Sequence, residues 1–269
     1  MASRLSAVIP ADIAPRARAA WSDLRDQLVS ALGDDLVAMW AHGGMTVADS
    51  SAHAGDLDTH VILGRRPTEQ TARRVEEIHQ ATSVVHAVEW DTWYLLVDDA
   101  RRSDPPSHAW HEGKRDTSWA IHRAHWLAGR YVNLHGPEPE EIVRPPTWDE
   151  ILGELDRELE HVERHVAEGD TDPYEAAYAI LNGSRILRSL ETRDVVISKP
   201  GAGAWALEHL PARWHDAVRA ALRCHAGHGT AGDADLLAAQ MAPFTSFVRK
   251  HLPPTTDPRP DALPRWSGY

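Results

Sequence analysis

The sequence predicts an α+β/α chain in two parts: a mixed-sheet domain over residues 1–145 and an all-α helical bundle over 146–252, followed by a proline-rich tail over 253–269. Three observations carry this. An apolar run, two glycines and an Asp-x-Asp fall in one short stretch, the order of a strand, a turn and a second strand. A polar, helix-favouring segment then leads to another apolar run, as in a β-α-β crossover. Beyond Pro145-Pro146 the apolar residues recur every three or four positions, and no strand is convincing apart from a short Val195-Val196-Ile197.

The elements follow in order. Residues 13–32 form a first helix, with Ala20, Leu24, Leu28 and Leu32 on one face. Leu36 to Ala41 is apolar enough for a buried strand. Gly43-Gly44 comes next; glycine tolerates positive φ and lets an anion approach the backbone, whose N–H groups can cradle it. The second strand, Leu57 to Leu63, is led by Asp56 and Asp58, which share a face because strand residues two apart do. Pro67 to Ala81 is a helix with proline near its start. Val84 to Val97 is the third strand, ending near Asp98-Asp99, and carries Glu89 and Asp91 at the same parity. Residues 100–116 are loop, Ser118 to Arg130 is helix, and Val132 to Pro137 leads out of the first domain. Thr147-Trp148-Asp149-Glu150 is a capping box, opening a helix striped by Ile151, Leu155, Leu159, Val162 and Val166. Four more helices are expected over 173–191, 199–209, 211–226 and 233–251, with Trp266 pinning the tail.

Composition narrows the function classes. The chain has 28 Lys+Arg against 40 Asp+Glu, a formal charge of −12, which argues against a nucleic-acid partner and suits a small cationic acceptor in an acidic cleft. Cys224 is the single cysteine, so no intrachain disulfide is expected and a reducing compartment is. No signal-peptide core and no apolar run near the ~20 residues of a membrane span is present, so the expected location is the cytoplasm, with no membrane partner. P-loop, dinucleotide and hydrolase-elbow motifs are absent. With 17 histidines, pairs such as His122-x-x-His125 and His161 with His165 are read as packed or solvated side chains rather than a zinc site.

Side-by-side carboxylates repel each other and raise one pKa, a penalty that a bound cation removes. Magnesium takes one or two carboxylates plus phosphate oxygens, and two such ions can clamp the attacking and leaving oxygens of an in-line displacement. Asp56 and Asp58 are therefore the expected Mg2+ ligands, with a third carboxylate, Glu89 or Asp91, supplied by the next strand. Asp91 or Glu89 is the group that takes a proton from an acceptor hydroxyl. Gly43 and Gly44 are the expected phosphate cradle of a nucleoside triphosphate.

The glycine pair followed by Asp-x-Asp resembles the signature of the nucleotidyltransferase superfamily, the DNA polymerase β-like fold. Later segments make the likeness more specific: Trp119 to His125 running to Leu134-His135-Gly136-Pro137, Leu181 to Leu187 around Arg185, and Ser198-Lys199 followed by Ala204-Trp205-Ala206-Leu207 and Leu210-Pro211. Over about residues 36–226 the chain is similar to the aminoglycoside adenylyltransferases that modify streptomycin and spectinomycin, and to their relatives with a C-terminal helical domain. That resemblance implies transfer of AMP from ATP to a hydroxyl of an aminoglycoside or aminocyclitol. Mg2+ would sit on Asp56 and Asp58, with Asp91, favoured over Glu89 by the register of those relatives, as third ligand or base, and Arg185 and Lys199 would reach the triphosphate from the helical domain. Glu175 stands where a helical-domain acid is expected. The chain departs from the pattern at Gly44, where those enzymes carry serine, in the loop Met45 to Gly55, and in having Asp91 for Glu. These departures motivate an alternative, a catalytically inactive nucleotide-binding sensor or partner module on the same fold. Oligomeric state is not legible in the sequence.

Overall fold

The computed structural model describes residues 9–46, 56–168 and 172–254; the expected pin at Trp266 and most of the Met45–Gly55 loop lie outside them. The first domain comprises α1 (Pro15–Leu32), β1 (Leu36–His42), β2 (Asp56–Leu63), α2 (Glu69–His86), β3 (Glu89–Leu96), the single turn α3 (Val97–Ala100), α4 (Trp119–Leu127) and β4 (Val132–His135). The second comprises α5 (Trp148–Glu168), α6 (Pro173–Thr192), α7 (Lys199–His209), α8 (His215–His225) and α9 (Ala231–Arg249).

The four strands lie in the order β3-β2-β1-β4. β1 is antiparallel to both neighbours and β2 is parallel to β3, so the sheet is mixed. The parallel pair is joined through α2, as a crossover requires. Period-two alternation divides the sheet into two faces. Met39, Ala41, Leu57, Val61 and Tyr94 pack with Trp21, Leu24 and Leu28 of α1 and with Val75 and Ile78 of α2. Ala38, Trp40, Ile62 and Leu95 point the other way, onto Trp119 and Trp126 of α4.

In the second domain the stripe Ile151, Leu155, Leu159 and Val162 of α5 joins buried faces of α6, α8 and α9. Gly183 lets α6 approach α9, since a Cβ there would crowd Phe244 and Val248. The capping box forms: Thr147 N donates to Glu150 Oε2 at 2.7 Å and Glu150 N to Thr147 Oγ1 at 3.3 Å.

Two contacts fasten α4 to α5. Glu154 is buried and accepts from Ala120 N at 2.7 Å and Ile121 N at 2.8 Å, satisfying amides that a helix start leaves unpaired. Arg123, fully buried, donates to Glu150 Oε1 at 2.6 Å and to the Arg144 carbonyl at 3.1 Å.

The structure departs from the sequence-based expectation at several points. Val84 and Val85 belong to α2, not to a strand, and stand 81% and 71% exposed. Thr68 caps that helix, which runs on until Ala87 turns left-handed at φ 48°, leaving β3 to begin at Glu89. Asp98 and Asp99 sit in α3. Val132–His135 is a fourth strand rather than a simple exit, held by pairing to β1. Val195–Ile197 forms no strand. α8 starts at His215 after the short 3-10 turn Ala212–Trp214. Among the described residues no helix is long and apolar enough to cross a membrane.

Candidate active site

A cleft of about 620 Å3 separates the polar end of the sheet from the helical domain. His42, Gly43, Gly44, Asp56, Asp58 and Glu89 form its floor; His122 and His125 of α4 form one side; Glu158, Tyr178, Arg185 and Lys199 face them from α5, α6 and α7.

The strand register assembles the acids. β2 and β3 pair Asp56 with Glu89 and Asp58 with Asp91, and β1 sets His42 opposite Asp58, so these side chains share a face. Gly43 adopts φ +79°, and a Cβ at that position would overlap Asp58 Oδ2. Its first service is thus to admit a carboxylate. Gly44 has open space around it, and the turn is closed by Thr46 N and Oγ1 on the Gly43 carbonyl at 3.2 and 2.9 Å.

The crowding has an electrostatic cost. Asp58 is pushed up to about 8, by burial first and then by Asp56 and Asp91, while His122 and Lys199 pull it down. Asp91 is also raised, chiefly by desolvation, with His122 opposing and Asp56 adding; its side chain reaches solvent, so the penalty counts for less there. A carboxylate group this reluctant to ionise is the donor set that a divalent cation relieves, so the residues fit magnesium. Glu89 lines the cleft, whereas Asp91 lines a second groove at the outer edge of β3 beside Trp90, Trp93 and Trp110. Trp119 and Tyr94 are core.

The cations come from the other domain. Lys199 is the first residue of α7, just after the cap formed by Gly201 N on Ser198 Oγ at 3.1 Å. Its Nζ lies 4.5 Å from the Tyr178 ring centroid, a cation–π contact. Burial, then Arg185, lowers its pKa; Asp56, Glu158 and Asp58 act the other way. Arg185 donates to Asn182 Oδ1 at 3.1 Å. The acid on this wall is Glu158, which accepts from the Tyr178 hydroxyl at 2.8 Å; Glu175 is not among the cleft residues.

Sequence reasoning missed a buried histidine network beneath the carboxylates. His42 Nε2 meets His60 Nδ1 at 2.7 Å, and His60 Nε2 and His122 Nδ1 both reach Asp116 Oδ2 at 3.0 Å. An ionised carboxylate only accepts, so both imidazoles donate to it. Burial disfavours charge on Asp116, yet His122 and His60 hold its carboxyl well below the usual range. Burial likewise opposes His122, but Asp116 pushes it up to about 9; His60 is driven by burial down to about 4. Within the network Asp116 thus favours positive charge at His122, while burial disfavours it at His60 and His42. The donor atoms of His60, Asp116 and His122 lie within 4.8 Å of one another, a set that suits a transition metal, but their mutual hydrogen bonds occupy all three. The overlooked signal was parity, since His60 stands two residues after Asp58 on the same face.

Residues 148–251 match the family model of the aminoglycoside adenylyltransferase C-terminal domain. No curated protein matches the chain significantly. Among solved structures, the fold is similar to that of spectinomycin adenyltransferase AAD(9) from Enterococcus faecialis, determined with ATP and spectinomycin: TM-score 0.67, 13% identity, covering 86% of this chain and 98% of that one.

Proposed function

We propose, from a helical domain that matches the aminoglycoside adenylyltransferase C-terminal domain and a whole-chain fold shared with a nucleotidyltransferase, that this protein is a cytoplasmic, magnesium-dependent adenylyltransferase. It moves AMP from ATP to a hydroxyl of a small cationic acceptor of the aminoglycoside or aminocyclitol class. The observation that carries the reading is the convergence of Asp56, Asp58 and Glu89 on one sheet face, opposite Arg185 and Lys199 across the cleft.

Asp56 and Asp58 would hold Mg2+, which when bound supplies Lewis-acid polarisation of the phosphates. The open turn at Gly44 gives a phosphate room to approach the backbone. Arg185 and Lys199 offset the triphosphate charge, with Arg suited to bidentate oxygen pairs and Lys acting as a point charge. The acceptor hydroxyl attacks the α-phosphorus, its proton passes to a carboxylate, and pyrophosphate departs. Glu89 has the better access for that proton; Asp91 stands behind it as the second choice. Glu158 and the exposed Tyr174 ring offer an anionic and an aromatic surface to a cationic acceptor.

Pyrophosphate release with ATP and Mg2+ over a panel including spectinomycin and streptomycin tests the reading. Turnover that vanishes in Asp58→Asn is the expected result. ATP binding without turnover on any acceptor would favour an inactive nucleotide-binding module, the reading motivated by Gly44 and by the outward position of Asp91.

A further inference from the structure

The His122 ring is fixed on three sides. Asp116 Oδ2 accepts a hydrogen bond from its Nδ1–H at 3.0 Å. Trp126 stacks on one face, with centroids 5.8 Å apart and planes 16° from parallel. The rings of His42 and His60 lie 5.0 and 4.9 Å away. Asp116 is itself held, since Oδ1 accepts from Ser118 N at 3.0 Å and Oδ2 also from His60, whose other nitrogen meets His42. Despite this anchoring His122 keeps 24% side-chain exposure and lines the cleft. Among the described residues its Nε2 has no hydrogen-bond partner.

A histidine kept only for packing needs no such arrangement. Three polar groups, Asp116, His60 and His42, are buried at a desolvation cost that apolar side chains would avoid. What they accomplish together is to aim one N–H into the cleft, the logic of an Asp-oriented imidazole. Its place in the cleft is also informative. His122 of α4 and Lys199 of α7 line the same cleft from its two walls, with Asp58 on the floor between them.

We propose that His122 Nε2–H is a third triphosphate-binding donor, contacting a phosphate oxygen from the wall opposite Arg185 and Lys199, with Asp116 as its positioning residue. The proposal rests on the nucleotidyltransferase reading. A charge-assisted N–H to phosphate bond at a fixed angle adds affinity for the phosphates and none for the nucleoside.

The test is calorimetry of ATP and of adenosine, with Mg2+, on the full chain and on His122→Leu, His122→Gln, Asp116→Asn and Lys199→Ala, each checked for its melting transition. The expected result is a loss of about tenfold in ATP affinity for His122→Leu with adenosine affinity unchanged. His122→Gln, whose carboxamide keeps a donor, recovers most of the loss. In 15N spectra of the imidazoles, ATP shifts the His122 Nε2 resonance while Nδ1 stays, and in Asp116→Asn that response fades. His122→Leu binding ATP as the wild type does, while Lys199→Ala weakens it, overturns this inference alone. So does a His122 Nε2 resonance unmoved by saturating ATP. A wild-type chain that ignores ATP overturns the nucleotide reading and this proposal with it.

Discussion

Gly43 and Asp58 occupy space that a side chain at position 43 would have to share: the turn runs at φ +79°, and a Cβ built there coincides with Asp58 Oδ2. The turn glycine and the strand aspartate are one unit, joined through the β1–β2 pairing that sets His42 against Asp58.

Gly43→Ala is accordingly expected to do double damage. The left-handed backbone costs a Cβ-bearing residue ~1–2 kcal/mol, and Asp58 is displaced from its neighbours. Thermal denaturation should show a drop of that order, and calorimetry a loss of Mg2+-supported ATP binding. Gly44→Ser, in open space, should leave the melting temperature within error. Equal damage from both substitutions would mean that the turn matters and the carboxylate does not.

Asp58 governs a pH dependence with a definite sign. Its folded pKa is raised from 3.8 to about 8, so the folded state prefers the protonated acid. Metal-free protein should lose stability from this group as pH rises through that window, because the unfolded chain ionises first. Asp58→Asn removes the penalty. In EDTA it should melt above the wild type at pH 8 and level with it near pH 4, with the pH 8 gap closing when Mg2+ is added. A variant that melts lower than the wild type at pH 8 without metal would contradict this account.

Glu154 caps α4 from another helix. Glu154→Ala leaves the buried Ala120 N–H and the half-buried Ile121 N–H without acceptors, at ~1–3 kcal/mol for unsatisfied groups. Glu154→Gln keeps an acceptor oxygen and should lose less. Hydrogen exchange should locate the change in the first turn of α4; protection unaltered there would sink the assignment.

Periodicity made much of this molecule readable. Period two placed Asp56, Asp58, Glu89 and Asp91 on one face, and the 3.6-residue stripe of α5 buries the side chains expected of it. The failures have physical causes. β4 is four residues long and draws its strand character from pairing with β1, which no local window contains. Val84 and Val85 favour a strand intrinsically, but the helix capped at Thr68 carries them along. The histidine network stayed hidden because its centre, Asp116, lies 56 residues from His60, in a stretch that reads as loop. The split between Glu89 and Asp91 was unreadable too, since equal parity cannot say which residue meets the cleft and which the outer groove.

Arg123 bears on how such a chain can be taken apart. Its guanidinium bonds carbonyls of the sheet half, those of Ser103, Trp119 and Arg144, yet the carboxylate it pairs with is Glu150 of the helical half. Severing the polypeptide near Pro145-Pro146 would separate this cation from the carboxylate that neutralises it. Grafting the sheet half onto a foreign helical counterpart should therefore cost stability unless that counterpart brings an acid to the place of Glu150.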